Sequence, residues 1–104
     1  MKNIKIIEVP SEIGAGTRGS SLGIEAIKVA ALDFMSNFFI HFPSEKIQDE
    51  NKILYEPIES PYAKRIKGVA AMYDKLSKSI CNSMKDNFFP VVLSGDHSTS
   101  GGTI

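Results

Sequence analysis

Apolar residues along this chain form two extended runs and two helical patterns. Residues 4–9 (IKIIEV) and 89–94 (FPVVLS) are short, rich in branched side chains and bounded by a proline or a glycine turn, which indicates buried strands. Two stretches between them carry apolar residues at three- and four-residue spacing, which predicts helices. With a short middle strand predicted between the two helices, the order of these elements predicts a β-α-β-α-β unit with parallel strands and right-handed crossovers.

The limits of the inner elements follow from the same pattern. The first helix should start at Ser21, whose hydroxyl can cap it, and run to about Met35. The second should run from Tyr62 to about Lys85. Residues 52–55 are predicted as a short middle strand, residues 44–51 as a surface connection, and residues 38–42 (FFIHF) as either a strand or the end of a helix. The predicted buried faces are Ile24, Ile27, Ala31 and Phe34 on the first helix, and Ile66, Val69, Tyr73, Leu76, Ile80 and Met84 on the second.

Composition excludes several classes of partner. Twelve basic and twelve acidic side chains cancel, and neither sign forms a long block, so binding to nucleic acid or to an anionic membrane is not expected. Cys81 is the only cysteine, so no disulfide can form within the chain. The apolar runs are far shorter than the roughly 20 residues needed to cross a bilayer. We therefore expect one soluble, cytoplasmic domain.

A glycine-rich loop follows the first strand. Residues 14–19 (GAGTRG) match the pattern G-x-G-x-x-G, which can hold a pyrophosphate between a strand and a helix. Residues 10–13 separate this pattern from the strand, and Arg18 lies inside the turn, so dinucleotide binding is disfavoured. Two interpretations remain: a small α/β module that binds a nucleotide or anion through this loop, or a loop that needs glycine only for its backbone geometry.

Polar residues end the last strand. Residues 94–98 (SGDHS) come directly after a buried run, where parallel strands deliver functional groups to a site. The imidazole of His97 could bind a transition metal, with a neighbouring carboxylate orienting the ring. Ser98 lacks the G-x-S-x-G frame of a hydrolase nucleophile. Residue types alone leave His97 open as either a metal ligand or a structural histidine.

Two segments resemble a known family. Residues 14–28 (GAGTRGSSLGIEAIK) and 89–98 (FPVVLSGDHS) resemble the amino-terminal signatures G-x-x-x-R-G-x-x-x-G-P-x-x-[IL]-R and F-P-[LV]-V-L-G-G-D-H-S of the arginase and agmatinase (ureohydrolase) family. The resemblance implies a three-layer α-β-α parallel sheet. Residues 1–104 would form the amino-terminal part of one such domain, truncated after its first metal-ligand turn. Ser94 and Ile24 depart from the family pattern, where glycine and proline are usual.

The resemblance also implies a chemistry. Family members use two Mn²⁺ ions to activate water against the carbon of a small guanidino or amidino substrate, and they are usually homo-oligomers. His97 is the implied ligand of one ion. The chain lacks the D-x-H-x-D and D-x-D-x-x-D motifs that carry the other ligands, so it should be inactive alone. A catalytically dead relative is the remaining alternative. The implied surroundings of His97 are Gly95, Asp96 and Ser98 in the turn, and Gly14, Gly16, Arg18 and Gly19 in a nearby loop.

Overall fold

The computed structural model describes residues 3–57 and 65–103. Three parallel strands form one sheet in the order β2-β1-β3, which confirms the predicted parallel α/β arrangement. Within the described ranges, no helix is long and apolar enough to cross a membrane. The strands are β1 (Asn3–Val9), β2 (Ser44–Lys46) and β3 (Phe88–Ser94), and the helices are α1 (Leu22–Asp33), α2 (Phe38–His41), α3 (Ile66–Lys85) and α4 (Ser100–Thr103), with a 3-10 helix at Asn51–Tyr55.

Strand β1 is the centre of the sheet and has helices on both faces. Ile7 and Val9 belong to the main apolar core, which includes Leu76 of α3. Side chains alternate between faces along a strand, so Glu8 points to the opposite side. There its carboxylate accepts a hydrogen bond from the Lys28 ammonium of α1 at 2.9 Å. Helices α1 and α3 therefore cover opposite faces of β1.

Helix α3 buries a different stripe from the predicted one. Leu76 and Ile80 are buried as expected, but Ile66 and Met84 are each 56% exposed. Small residues complete the stripe because they let the helix approach its neighbours closely: a Cβ on Gly68 would lie 2.3 Å from Ile53 Cδ1. Residues 58–64, which include the predicted first turn of this helix, lie outside the described residues. The buried positions are Gly68, Met72, Leu76, Ser79, Ile80 and Ser83.

Helix α1 buries much less of its predicted face. Ile24 is 4% exposed, but Ile27 is 49% exposed and Phe34 is 85% exposed. Apolar residues also occupy the other sides of this helix, where Leu22 and Leu32 are exposed. The apolar pattern of α1 thus did not single out one face. The absence of proline at position 24 does not prevent the helix from forming, since Ile24 donates its N–H to the Ser21 carbonyl at 3.2 Å.

The second strand lies earlier in the chain than predicted. Residues 52–55 belong to the 3-10 helix, whereas β2 is the short segment Ser44–Lys46, which pairs with residues 6–8 of β1. Its three residues are polar or charged, so no hydrophobic pattern marks it. Backbone bonds beside it fix the pairing, including Ile47 N–H to the Glu8 carbonyl at 2.9 Å. Residues 38–41 form the short helix α2, which settles the ambiguity there.

The core packing of α3 predicts that alanine substitutions at two leucines will differ greatly in their effect on stability. Leu76→Ala should lower the free energy of unfolding by about 2 to 5 kcal/mol, because Leu76 is fully buried and its loss leaves a cavity. Leu32→Ala is the matched control, since Leu32 is 70% exposed, and should change stability by less than about 0.5 kcal/mol. Urea denaturation measures both values, and equal losses would contradict this packing.

Candidate functional site

Two segments meet at the carboxyl ends of neighbouring strands. The glycine loop, residues 11–21, follows β1, and the histidine turn, residues 94–98, closes β3 and leads into α4. Val9 and Ser94 are partners in the sheet, and Gly95 continues the ladder by donating its N–H to the Val9 carbonyl at 2.9 Å. The register of β1 and β3 therefore places the loop directly beside the turn.

The Asp96 carboxylate joins the loop to the turn. Its Oδ2 accepts the N–H groups of Gly14 at 3.0 Å and Ala15 at 3.2 Å. Its Oδ1 accepts the Ser98 N–H at 2.9 Å and the Ser98 hydroxyl at 2.5 Å. A carboxylate has about four acceptor positions, and these four donors use them. Asp96 therefore fastens two backbone segments together.

Glycine is required where the two segments touch. A Cβ on Gly14 would lie 2.3 Å from Ser98 Cβ, and a Cβ on Gly95 would lie 2.5 Å from the Ser11 carbonyl oxygen. Neither neighbour is the flexible end of a long side chain, so any larger residue would force the backbones apart. The two glycines allow the close approach on which the Asp96 hydrogen bonds depend.

A second carboxylate, Glu12, folds the other half of the loop. It is fully buried, and its side chain accepts hydrogen bonds from the N–H groups of Gly19 at 2.5 Å and Ser21 at 2.9 Å. The Ser21 hydroxyl, at 3.0 Å, and the Arg18 guanidinium also donate to it. The prediction that Ser21 caps α1 with its side chain is wrong, because its hydroxyl is bound to Glu12 and makes no capping bond.

These contacts set the charge state of Glu12. Burial alone would raise the pKa of this carboxyl, but the N–H groups of Ser21 and Gly19 and the side chains of Arg18 and Ser21 outweigh it. Together they lower the pKa from 4.5 to about 2. Glu12 therefore carries a full negative charge at neutral pH, at the amino-terminal end of α1 where the helix dipole favours an anion.

The remaining loop residues lie on the Glu12 side. Gly16 and Gly19 have left-handed φ angles of 77° and 130°, which explains glycine at both positions. The Arg18 side chain is 52% exposed, and its guanidinium also donates to the Tyr55 hydroxyl at 3.4 Å. Arg18 thus contacts Glu12 and Tyr55, whereas Gly14 is the loop glycine that touches the histidine turn.

The hydrogen bonds of the loop bear on the anion-binding interpretation. The N–H groups of Gly14 and Ala15 are bound to Asp96, and those of Gly19 and Ser21 to Glu12. The Gly16 N–H donates to the Glu12 carbonyl at 3.3 Å. A loop that binds phosphate must direct such groups at its ligand. Here the chain's own acceptors already use them, which disfavours a nucleotide or anion site.

His97 stands at the exposed tip of the turn. Its carbonyl accepts the Ser100 N–H at 3.2 Å, and its imidazole makes no hydrogen bond to any described residue. Ser94, which replaces the family's glycine, fits the turn because its hydroxyl donates to the Asp96 carbonyl at 2.6 Å. The ring is therefore free to bind, while the backbone on both sides of it is fixed.

One imidazole does not make a metal site. In the ranges 3–57 and 65–103, no three His, Cys, Asp or Glu side chains come together in a way that could hold a metal ion. Asp96 is occupied by its four donors, and Mn²⁺ prefers octahedral sites rich in oxygen. These residues by themselves do not fit a two-ion manganese centre, and His97 is the one side chain of the turn that could contribute to one.

The sequence pattern did not single out Glu12. Its partners lie six to nine residues further along an irregular loop, where neither helical nor strand periodicity applies. Asn51, which is 3% exposed, was missed for the same reason: its side chain accepts the Glu12 N–H at 2.7 Å and donates to the Pro10 carbonyl at 2.9 Å. The only available signal was a glutamate inside a glycine-rich segment, close to an arginine.

Comparison with known proteins supplies the context for this site. A sequence model of the Arginase family matches residues 2–104. Arginase from Brevibacillus brevis is 33% identical, with 99% of this chain and 35% of the relative covered. Arginase from Bacillus caldovelox is 31% identical, with 100% of this chain and 36% of the relative covered.

Solved structures agree with the sequence matches. A crystal structure of arginase from Bacillus subtilis has a TM-score of 0.66 and 29% sequence identity, with 98% of this chain and 32% of that chain covered. The family resemblance and the arginase-like α/β fold are thereby confirmed. The chain spans about a third of the length of the relatives that it matches.

The charge of Glu12 predicts a pH-dependent mutational effect. Glu12→Gln should cost roughly 1.5 to 3 kcal/mol of unfolding free energy at pH 7, because it removes hydrogen bonds to a charged group. The carboxyl titrates near pH 2 when folded and near 4.5 when unfolded, so its contribution is complete above pH 4.5 and lost as pH falls toward 2. The stability gap between wild type and variant should therefore close over that range.

Urea denaturation at several pH values measures this gap. Glu25→Gln is the matched control, because Glu25 is an exposed carboxylate on α1 with a 3.4 Å contact to Lys28. It should change stability little at any pH. A gap for Glu12→Gln that stays constant from pH 7 to pH 2 would contradict the buried, charged state of Glu12.

Proposed function

This chain belongs to the arginase family, and from that premise we propose that it supplies one ligand, His97, to a two-manganese hydrolase site. The observation that supports the proposal is the exposed His97 imidazole at the carboxyl end of a parallel strand, on a turn whose backbone is fixed by Asp96. The reaction would be hydrolysis of a C–N bond in a linear guanidino or amidino compound, which for a guanidino substrate gives urea and an amine.

By itself the 104-residue chain should not catalyse this reaction. It offers one candidate ligand, and its sequence lacks the D-x-H-x-D and D-x-D-x-x-D motifs that the family resemblance implies for the others. Manganese would supply an activated water in a complete site, and the part played by this chain would be to hold one imidazole in place. A catalytically dead relative, in which those motifs are absent from the whole protein, is the competing proposal.

The remaining features of the proposal follow from family membership and charge. A small guanidino or amidino molecule is the expected substrate, and arginine, agmatine, guanidinobutyrate and formiminoglutamate all fit that class. The zero net charge speaks against a nucleic-acid or membrane partner. We also propose a homo-oligomer and a cytoplasmic location.

A chimera tests the proposed role of His97. Residues 2–104 of this chain would replace the matching amino-terminal third of Bacillus subtilis arginase, and urea release from arginine and agmatine would be measured with Mn²⁺. We expect the chimera to be active. His97→Ala should lower its kcat/KM by more than about 100-fold, which exceeds the usual loss when a residue that only orients a metal ligand is removed.

Two controls accompany the chimera. His41→Ala removes the other histidine, which is exposed on α2, and should leave activity unchanged, and the unfused chain should release no urea. A folded His97→Ala chimera with full activity would exclude His97 as a ligand. A folded, manganese-loaded chimera that is inactive with His97 intact would contradict the proposal that this segment serves an arginase-type site.

A further inference from the structure

We infer that Glu12 is a positioning residue for His97, acting through the glycine loop and the Asp96 carboxylate. The inference rests on the proposed function for the role of His97 as a ligand. Glu12 itself bonds to Gly19, Ser21, Arg18, Gly16 and Asn51, and to no residue of the histidine turn within the described ranges. Any influence on His97 must therefore pass through the loop.

Glu12 is fixed at both its backbone and its side chain. The Asn51 amide oxygen accepts its N–H at 2.7 Å, its carbonyl accepts the Gly16 N–H, and its carboxylate has four donors. Ile13, the next residue, is 2% exposed and packs in the apolar core. The backbone conformation of the two residues that precede Gly14 is thus fixed.

The first route to the turn consists of hydrogen bonds. Gly14 and Ala15 follow the anchored pair of Glu12 and Ile13, and their two N–H groups point at Asp96 Oδ2. Asp96 immediately precedes His97, and its other oxygen holds the N–H of Ser98. Asp96 therefore holds the backbone on both sides of His97. Asp96 is itself held by the N–H groups of Gly14 and Ala15, whose orientation depends on Glu12.

The second route is direct packing against Gly95. A Cβ at Gly95 would lie 2.5 Å from the Ser11 carbonyl oxygen and 3.3 Å from Ser21 Cα. Ser11 adjoins Glu12, and Ser21 is bound to its carboxylate through both N–H and hydroxyl. Loosening Glu12 would release the two backbone segments between which Gly95 sits.

The consequence is a ligand turn that is ordered before any metal binds. A site holds its ligands well when neighbouring residues lock them in advance. Here two negative charges within the protein do this with backbone N–H groups, and the exposed imidazole keeps its nitrogen atoms free. The glycine loop is then a support for the histidine turn and not a binding site of its own.

Backbone ¹⁵N relaxation on the 104-residue chain without metal tests the inference. In the wild type, the amides of residues 95–98 should have order parameters near the rigid value of about 0.85. In Glu12→Gln they should fall toward about 0.6, the flexible range. Asp96→Asn, which breaks the last link directly, should give a fall at least as large and shift the amide signals of Gly14 and Ala15.

Glu45→Gln is the matched control. Like Glu12, Glu45 on β2 is a carboxylate that accepts hydrogen bonds from a basic side chain and a serine, here Lys5 and Ser79, but it lies outside the glycine loop. Its substitution should leave residues 95–98 rigid. If Glu12→Gln does not fold, Arg18→Gln removes one exposed donor to the same carboxylate and should produce a smaller fall at the same amides.

Rigid amides at residues 95–98 in a folded Glu12→Gln protein, with altered signals only at Gly19 and Ser21, would overturn the inference. So would rigid amides in Arg18→Gln if that variant is the one measured. Neither result depends on metal or substrate, so it would leave the proposed function standing. An inactive chimera with intact coupling between Glu12 and His97 would instead count against the proposed function alone.

Discussion

The Asp96 carboxylate connects two parts of the chain that are about 80 residues apart, by accepting backbone N–H groups from the glycine loop and from its own turn. The parallel pairing of β1 and β3 brings these parts to the same edge of the sheet. Pairing alone would leave several N–H groups of this irregular, largely exposed loop without acceptors in the protein and free to bind water instead. Asp96 and Glu12 provide those acceptors, so the loop, the turn and the start of α1 form one hydrogen-bonded unit.

In this arrangement the glycine-rich motif has a different role from the one that its sequence pattern suggests. A G-x-G-x-x-G segment between a strand and a helix is typical of loops that direct N–H groups at a phosphate. In this chain two internal carboxylates take the place that a bound anion would have. The glycines serve close approach at Gly14 and left-handed backbone at Gly16 and Gly19. The motif supports a neighbouring turn, and the family comparison agrees with a role in an arginase-type fold.

The sequence predicted those features that a local pattern encodes. Long apolar runs marked β1 and β3, and the position of residues 94–98 after the second run marked the histidine turn. The expectation that β3 is buried was wrong, because none of its residues is buried. Strand β2 was missed because Ser44–Lys46 is short and polar and is defined only by its partner. The buried face of α3 differs from the predicted face because close packing favours Gly68, Ser79 and Ser83 over larger apolar residues. Glu12 and Asn51 were missed because their partners follow no period along the chain.

Contact between Gly14 and Ser98 allows the most direct test of this hydrogen-bonded unit. A Cβ on Gly14 would lie 2.3 Å from Ser98 Cβ, so removing Ser98 Cβ should relieve the clash. A double-mutant cycle with Gly14→Ala and Ser98→Gly, followed by urea denaturation, measures the coupling between loop and turn. Gly14→Ala should cost at least about 1 kcal/mol less in the Ser98→Gly background than in the wild type. Costs that agree within about 0.5 kcal/mol in the two backgrounds would show that the loop and the turn are not in contact.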